Sequence, residues 1–157
     1  MEKQMSLSQI KKKAIAPTLD LIGLGGDAAV NLITGTGLVE SGYKYTRQIN
    51  GPALSWFQIE PATHDDCWEN YLRYHPALAE KIRGLIYGLT PSAHMLSNNA
   101  RYAVAMCRVK YLRVPEPLPD ANDAAGMSAY HKKYYNTALG KANETQNFPL
   151  FQEAIDA

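Results

Sequence analysis

The chain has 157 residues, 46% of them hydrophobic and 20% charged, and a formal net charge of +1. Such a composition excludes intrinsic disorder, and a near-neutral charge gives no strong pull toward nucleic acid or an anionic membrane. The length fits one domain over residues 1–157, enough to bury roughly 70% of the surface an unfolded chain exposes.

The elements read as mostly helical. A basic cluster, Lys3, Lys11, Lys12 and Lys13, suits the solvated face of a first helix, with attraction to an anionic polymer such as a cell wall as the alternative. That helix is predicted over Ser8 to Ile22, with a kink or a fresh start at Pro17. Gly23-Leu24-Gly25-Gly26 breaks it, and Asp27 is expected to cap the next helix. Residues 28–39 are apolar nearly all round, which places this second helix in the core, with Gly35 and Gly37 allowing close packing or a bend. From Tyr43 to Pro61 the helical period is lost around the turn signal Asn50-Gly51-Pro52, predicting a short β-hairpin or an extended loop. Thr63 is expected to open a helix with Asp65 and Asp66 in its first turn, running to about Tyr74 and resuming from Ala77 to Tyr87. One turn near Ser92–Leu96 and helices over Asn99–Val114, Asp123–Tyr135 and Thr145–Ile155 complete the chain.

Two cysteines, Cys67 and Cys107, sit beside apolar residues and read as buried free thiols, with a single disulfide between them as the alternative. No apolar run is long enough to span a membrane, and the N-terminus lacks the apolar core of a secretory signal. His64-Asp65-Asp66-Cys67 are adjacent, so on a helix they fan around the axis and cannot converge on a metal. His75, His94 and His131 show no ligand spacing, and no metal or cofactor is expected. Gly23-Leu24-Gly25-Gly26-Asp27-Ala28 only loosely matches a dinucleotide loop, because no strand precedes it.

Glu40 is the candidate catalytic residue. It ends the apolar helix, and a carboxyl that faces a cleft from such a place is poorly solvated, which favours the neutral acid. A neutral acid can donate a proton to a leaving group. Gln58 follows eighteen positions later (58 − 40) in Ala53-Leu54-Ser55-Trp56-Phe57-Gln58-Ile59-Glu60-Pro61-Ala62-Thr63.

Glu40-Ser41-Gly42 and the Pro52–Thr63 stretch together resemble the catalytic region of the soluble lytic transglycosylases, in the lysozyme-like superfamily. That family carries Glu-Ser, then Gly-Ala-x-Gly-Leu-Met-Gln, often followed by Pro-x-Thr, with the same spacing from Glu to Gln. Tyr135-Asn136-Thr137-Ala138-Leu139-Gly140-Lys141 is similar to the family's Tyr-Asn-Ala-Gly-Pro-Gly-Arg. Tyr111-Leu112 matches the end of a family helix, with Val104 where Asn usually stands. Pro52 and Ser55 replace two motif glycines, and Trp56 and Phe57 replace Leu and Met. A Cβ at position 55 is expected to narrow the cleft or shift its wall.

The resemblance implies a mainly α, α+β lysozyme-like fold and cleavage of the β-1,4 bond of peptidoglycan glycan strands. Glu40 would protonate the glycosidic oxygen, then act as base while the sugar's own 6-hydroxyl attacks the anomeric carbon, leaving a 1,6-anhydro end. Ser41, Gln58, Tyr135 and Asn136 would bind near it, with the Tyr135 hydroxyl donating to the acid or the substrate. Trp56 and Phe57, with Tyr43 and Tyr45, are candidates to meet sugar rings, although most aromatics pack in cores. A compact chain of this kind resembles phage proteins carried in the virion or made late for lysis, so virion proteins are further expected partners. Its place would then be the virion or the host cytoplasm.

A hydrolase would need a second carboxylate, about 5–5.5 Å away if retaining and about 6.5–9.5 Å if inverting. Glu60, Asp65 and Asp66 are the candidates. A binding or structural protein that keeps the scaffold without turnover is the remaining reading, motivated by Pro52 and Ser55.

Overall fold

A computed structural model describes residues 5–135 and 143–157, and the chain there is mainly helical. Helix α1 (residues 7–21) is α-helical over Leu7–Gln9, π-helical over Ile10–Ile15 and α-helical again over Ala16–Leu21. The expected break at Pro17 is thus absorbed without ending the helix. Proline has no N–H and crowds the carbonyl four residues back, and the wide turn just before it relieves both problems. Lys11 is not a solvated charge as expected. Its Nζ donates to the carbonyls of Ala154, Ile155 and Ala157, satisfying the last turn of the final helix.

Helix α2 (Asp27–Glu40) is the core helix. Every residue from Ala29 to Gly37 is buried, which is the fate of a helix apolar on all sides. Asp27 lies in its first turn, and Gly26, at φ 102°, occupies the cap position instead. Only glycine takes that backbone conformation cheaply. Two threonines are tolerated inside because each hydroxyl bonds back one turn, Thr34 to Val30 and Thr36 to Leu32. Gly35 admits the Phe151 ring and Gly37 the Tyr43 ring, since a Cβ at either would overlap the aromatic. Close packing, and not a bend, is their role.

Residues 41–60 carry two isolated antiparallel bridges, Arg47–Leu54 and Leu54–Ile59, and the described residues form no strand. Tyr43, Asn50, Ser55 and Gln58 all have positive φ, which interrupts any extended run. Helix α3 (Pro61–Asn70) starts at Pro61, two residues before the expected Thr63, because proline suits the first helical position. Asp65 and Asp66 therefore fall beyond its first turn. A 3₁₀ turn (Leu72–Tyr74) leads to α4 (Pro76–Gly84), then α5 (Met95–Asn98) and α6 (Ala100–Leu112). Asn99 caps α6 by accepting from the Tyr102 N–H. Helix α7 (Ala124–Tyr130), capped by Asp123, runs on into a π-helical segment, His131–Tyr135. Helix α8 (Glu144–Asp156) packs on α2 and α7 and delivers Phe151 to Gly35. Cys67 and Cys107 are free and buried. Among the described residues no helix is long and apolar enough to cross a membrane.

Candidate active site

Glu40 is the last residue of α2, and its side chain is 13% exposed. Its Oε2 lies 2.7 Å from Nε2 of His131, a histidine with no exposed surface. His131 opens the π-helical segment, a distortion that recurs at functional sites because it re-aims side chains. Tyr135, one turn on, stacks on the His131 ring at 5.5 Å and 21°. The Tyr135 hydroxyl donates to the Phe57 carbonyl at 2.7 Å. Lys110, on α6, sets its ammonium 3.5 Å from the centre of the Tyr135 ring, a cation–π contact. A column thus runs Lys110, Tyr135, His131, Glu40, and it brings α2, α6, α7 and the 41–60 loop to one place.

The proton positions follow from what each nitrogen can reach. Nδ1 of His131 is buried and has no hydrogen-bond partner among the described residues. A proton there would be an unsatisfied buried donor. The arrangement therefore favours the tautomer with its proton on Nε2, donated to Glu40. Burial also draws the Lys110 amine below the ordinary lysine range, opposed by Cys107 and by the carboxylates of Glu40 and Glu60. Tyr135 is held well above the usual phenol range by burial, with Cys107 and Glu40 adding to it, so it stays a neutral donor.

A contrasting histidine shows what a completed network looks like. The Trp68 Nε1–H can only donate, and it donates to the Tyr102 hydroxyl oxygen at 2.8 Å. That hydroxyl gives its proton to Nε2 of His64 at 2.6 Å, and His64 Nδ1–H donates to Asp65 at 2.9 Å. Both ring nitrogens of His64 are used, which marks a structural residue. Burial lowers its proton affinity despite Asp65.

Several expected site residues take other parts. Phe57 has no exposed surface, so its ring is a core residue and not a cleft wall, and its contribution is the carbonyl that receives Tyr135. Ser41 is buried, with Oγ donating to the Gly37 carbonyl and accepting from the Tyr43 N–H, so it closes the helix end. Gln58 turns its amide onto the Ser55 carbonyl at 2.9 Å and makes no bond to Glu40. Trp56 is half-buried and meets the Tyr43 ring edge-on at 5.1 Å. Tyr135 stands beside the acid's partner but gives its hydroxyl to Phe57, not to Glu40. Asn136, with the rest of the 136–142 stretch, lies outside the described residues. Ser55 is 1% exposed, so its Cβ faces the interior and narrows no cleft. It still takes the positive φ of 73° that a glycine would take, and its Oγ accepts the Phe57 N–H.

Of the candidate second acids, Asp65 is engaged by His64, and Asp66 pairs with Arg113 at 2.7 Å. Glu60 is exposed at the start of α3. His131 and Lys110 were not legible as site residues from the sequence. The available signal was the separation of four between His131 and Tyr135, which puts both on one side of a helix. Among the described residues no group of His, Cys, Asp and Glu could hold a metal ion. A cleft of about 460 Å³ lies elsewhere, along α3 and α4, and neither Glu40 nor His131 lines it. No family model, curated protein or solved structure matches the chain.

Proposed function

We propose that the chain is a peptidoglycan lytic transglycosylase of the lysozyme-like α+β type, with Glu40 as its single general acid/base. The observation that carries this reading is the bond between Glu40 Oε2 and His131 Nε2, which sits beside Tyr135 of the second motif. A histidine donating to one carboxyl oxygen leaves Oε1 for the substrate. In the acid step Oε1 gives its proton to the glycosidic oxygen. The carboxylate so formed keeps the His131 N–H, which stabilises the charge. In the second step Oε1 takes the proton of the sugar's 6-hydroxyl as that oxygen attacks the anomeric carbon. Atoms and protons balance: the bond to the leaving sugar breaks, an anhydro ring closes, and Glu40 returns to its neutral form. Glycan strands are the substrate, and virion proteins are the expected partners of an enzyme that travels in the particle or is made for lysis.

The test is release of soluble muropeptides from purified sacculi by the wild type and by Glu40→Gln. Release by the wild type alone supports the reading. No release by the wild type, or equal release by the variant, overturns it.

Two observations favour a second reading, a wall-binding scaffold without turnover. Glu40 is only 13% exposed, and Phe57 is withdrawn into the core. That protein would co-sediment with sacculi and leave them intact.

A further inference from the structure

The cleft along α3 and α4 has a built floor and a charged rim. Its floor is Leu72 and Ala79, both buried, with the Trp68 indole beside them. The indole is fixed by the bond it donates to Tyr102, which His64 holds in turn. Arg83 places its guanidinium 5.1 Å from the centre of the Trp68 ring. Arg73, Asp65 and Glu69 also line the cleft. Two cations and two anions thus share one concavity, yet among the described residues neither arginine pairs with a carboxylate. Glu69 likewise has no partner among the described ion pairs, and Asp65 uses one oxygen on His64.

We infer that this cleft binds a small zwitterion of amino-acid or short-peptide chemistry, its carboxylate on Arg73 and Arg83 and its ammonium on Glu69 and Asp65. The alternatives fit less well. A multiply charged anion would meet as many carboxylates as guanidiniums. A sugar would want the open face of Trp68, which Arg83 covers. The volume, about 460 Å³, lies in the range of small-molecule sites, and an extended dipeptide spans at most about 7 Å between its charged ends. Guanidinium and carboxylate can pair through two parallel hydrogen bonds, which adds orientation to attraction. The inference is independent of any reaction at Glu40.

The experiment titrates the ¹⁵N-labelled protein with Ala-Ala and follows the Trp68 indole resonance, assigned with Trp68→Phe. The expected result is a saturable shift at Trp68. Arg83→Gln and Glu69→Gln, both exposed positions, should each weaken it at least about tenfold, the size of one charge-assisted hydrogen bond. N-acetyl-Ala-Ala-amide, which carries neither charge, should give no saturable shift. An Ala-Ala response that is absent, that the capped peptide equals, or that survives both substitutions overturns the inference. A saturable Trp68 shift with a chitooligosaccharide but none with Ala-Ala also overturns it, making the cleft a sugar site.

Discussion

The contact between Glu40 and His131 should reveal itself in a double-mutant cycle on stability. His131→Phe keeps a ring against Tyr135 but removes the donor, leaving a mostly buried carboxyl group without its partner. An orphaned buried polar group costs about 1–3 kcal/mol. Glu40→Leu leaves the histidine with both nitrogens unpaired, because Nδ1 already has no partner among the described residues. That costs about 1–3 kcal/mol. The double variant replaces both polar partners with apolar groups, a change that is nearly neutral in many buried pairs. The two single losses together reach about 2–6 kcal/mol, and the double variant should fall well short of that sum. Urea denaturation followed by circular dichroism gives each value, and thermal midpoints should move by about 2–4 °C per kcal/mol. Additivity within about 0.5 kcal/mol would refute the reasoning, for it would mean the two groups do not depend on each other.

Other expected outcomes follow from the same packing. Gly35→Ala pushes a methyl into the Phe151 ring and should destabilise by about 1–3 kcal/mol in urea, whereas an unchanged midpoint would mean α8 does not pack there. Cys107 is fully buried, and burial pushes its thiol up to about 12, so native protein should not react with Ellman's reagent until denaturant exposes it. Fast labelling of Cys107 in the native state would contradict this burial. His64 binds a proton less readily folded than unfolded, so the unfolded chain gains protons first as pH falls. Its neutral form thus supports folding fully above about pH 6.5, and that support is lost as pH falls from there toward the folded value. The stability gap between wild type and His64→Gln should therefore shift toward the variant between about pH 7.5 and 5, and a gap constant over that window would show that His64 does not titrate differently on folding.

Much of the helical layout was legible because its signals are local. Residues 28–39 are apolar on every side, and such a helix has nowhere to go but the core. The expected starts at Asn99 and Asp123 fall on residues whose side chains accept the orphan N–H groups of the first turn of α6 and α7. Where position-specific chemistry competed, the local reading slipped. Asp27 is an adequate cap, but Gly26 alone could take φ 102°. Thr63 begins a plausible capping pattern, but Pro61 two residues earlier already had helical φ. Lys11 looked like a surface charge, and only the fold brings the end of α8 within its reach.

The site divides in the same way. Glu40 at its helix end and Tyr135 were readable as motif residues, and the fold sets Tyr135 against the histidine that holds Glu40. His131 was not readable, since a lone histidine in an apolar helix has no pattern until its partner, 91 residues away in sequence, is known. Ser55 reversed its expected meaning. Its backbone takes a positive φ of 73°, a region that favours glycine, with its hydroxyl tied to the Phe57 N–H, and its side chain is buried.

The mass of the products from sacculi tests the central claim most directly. A reaction in which Glu40 serves first as acid and then as base to the sugar's own hydroxyl predicts glycan ends one water lighter than reducing ends, and their loss in Glu40→Gln. Reducing ends would contradict that claim by making water the nucleophile, and intact sacculi would remove the reaction altogether.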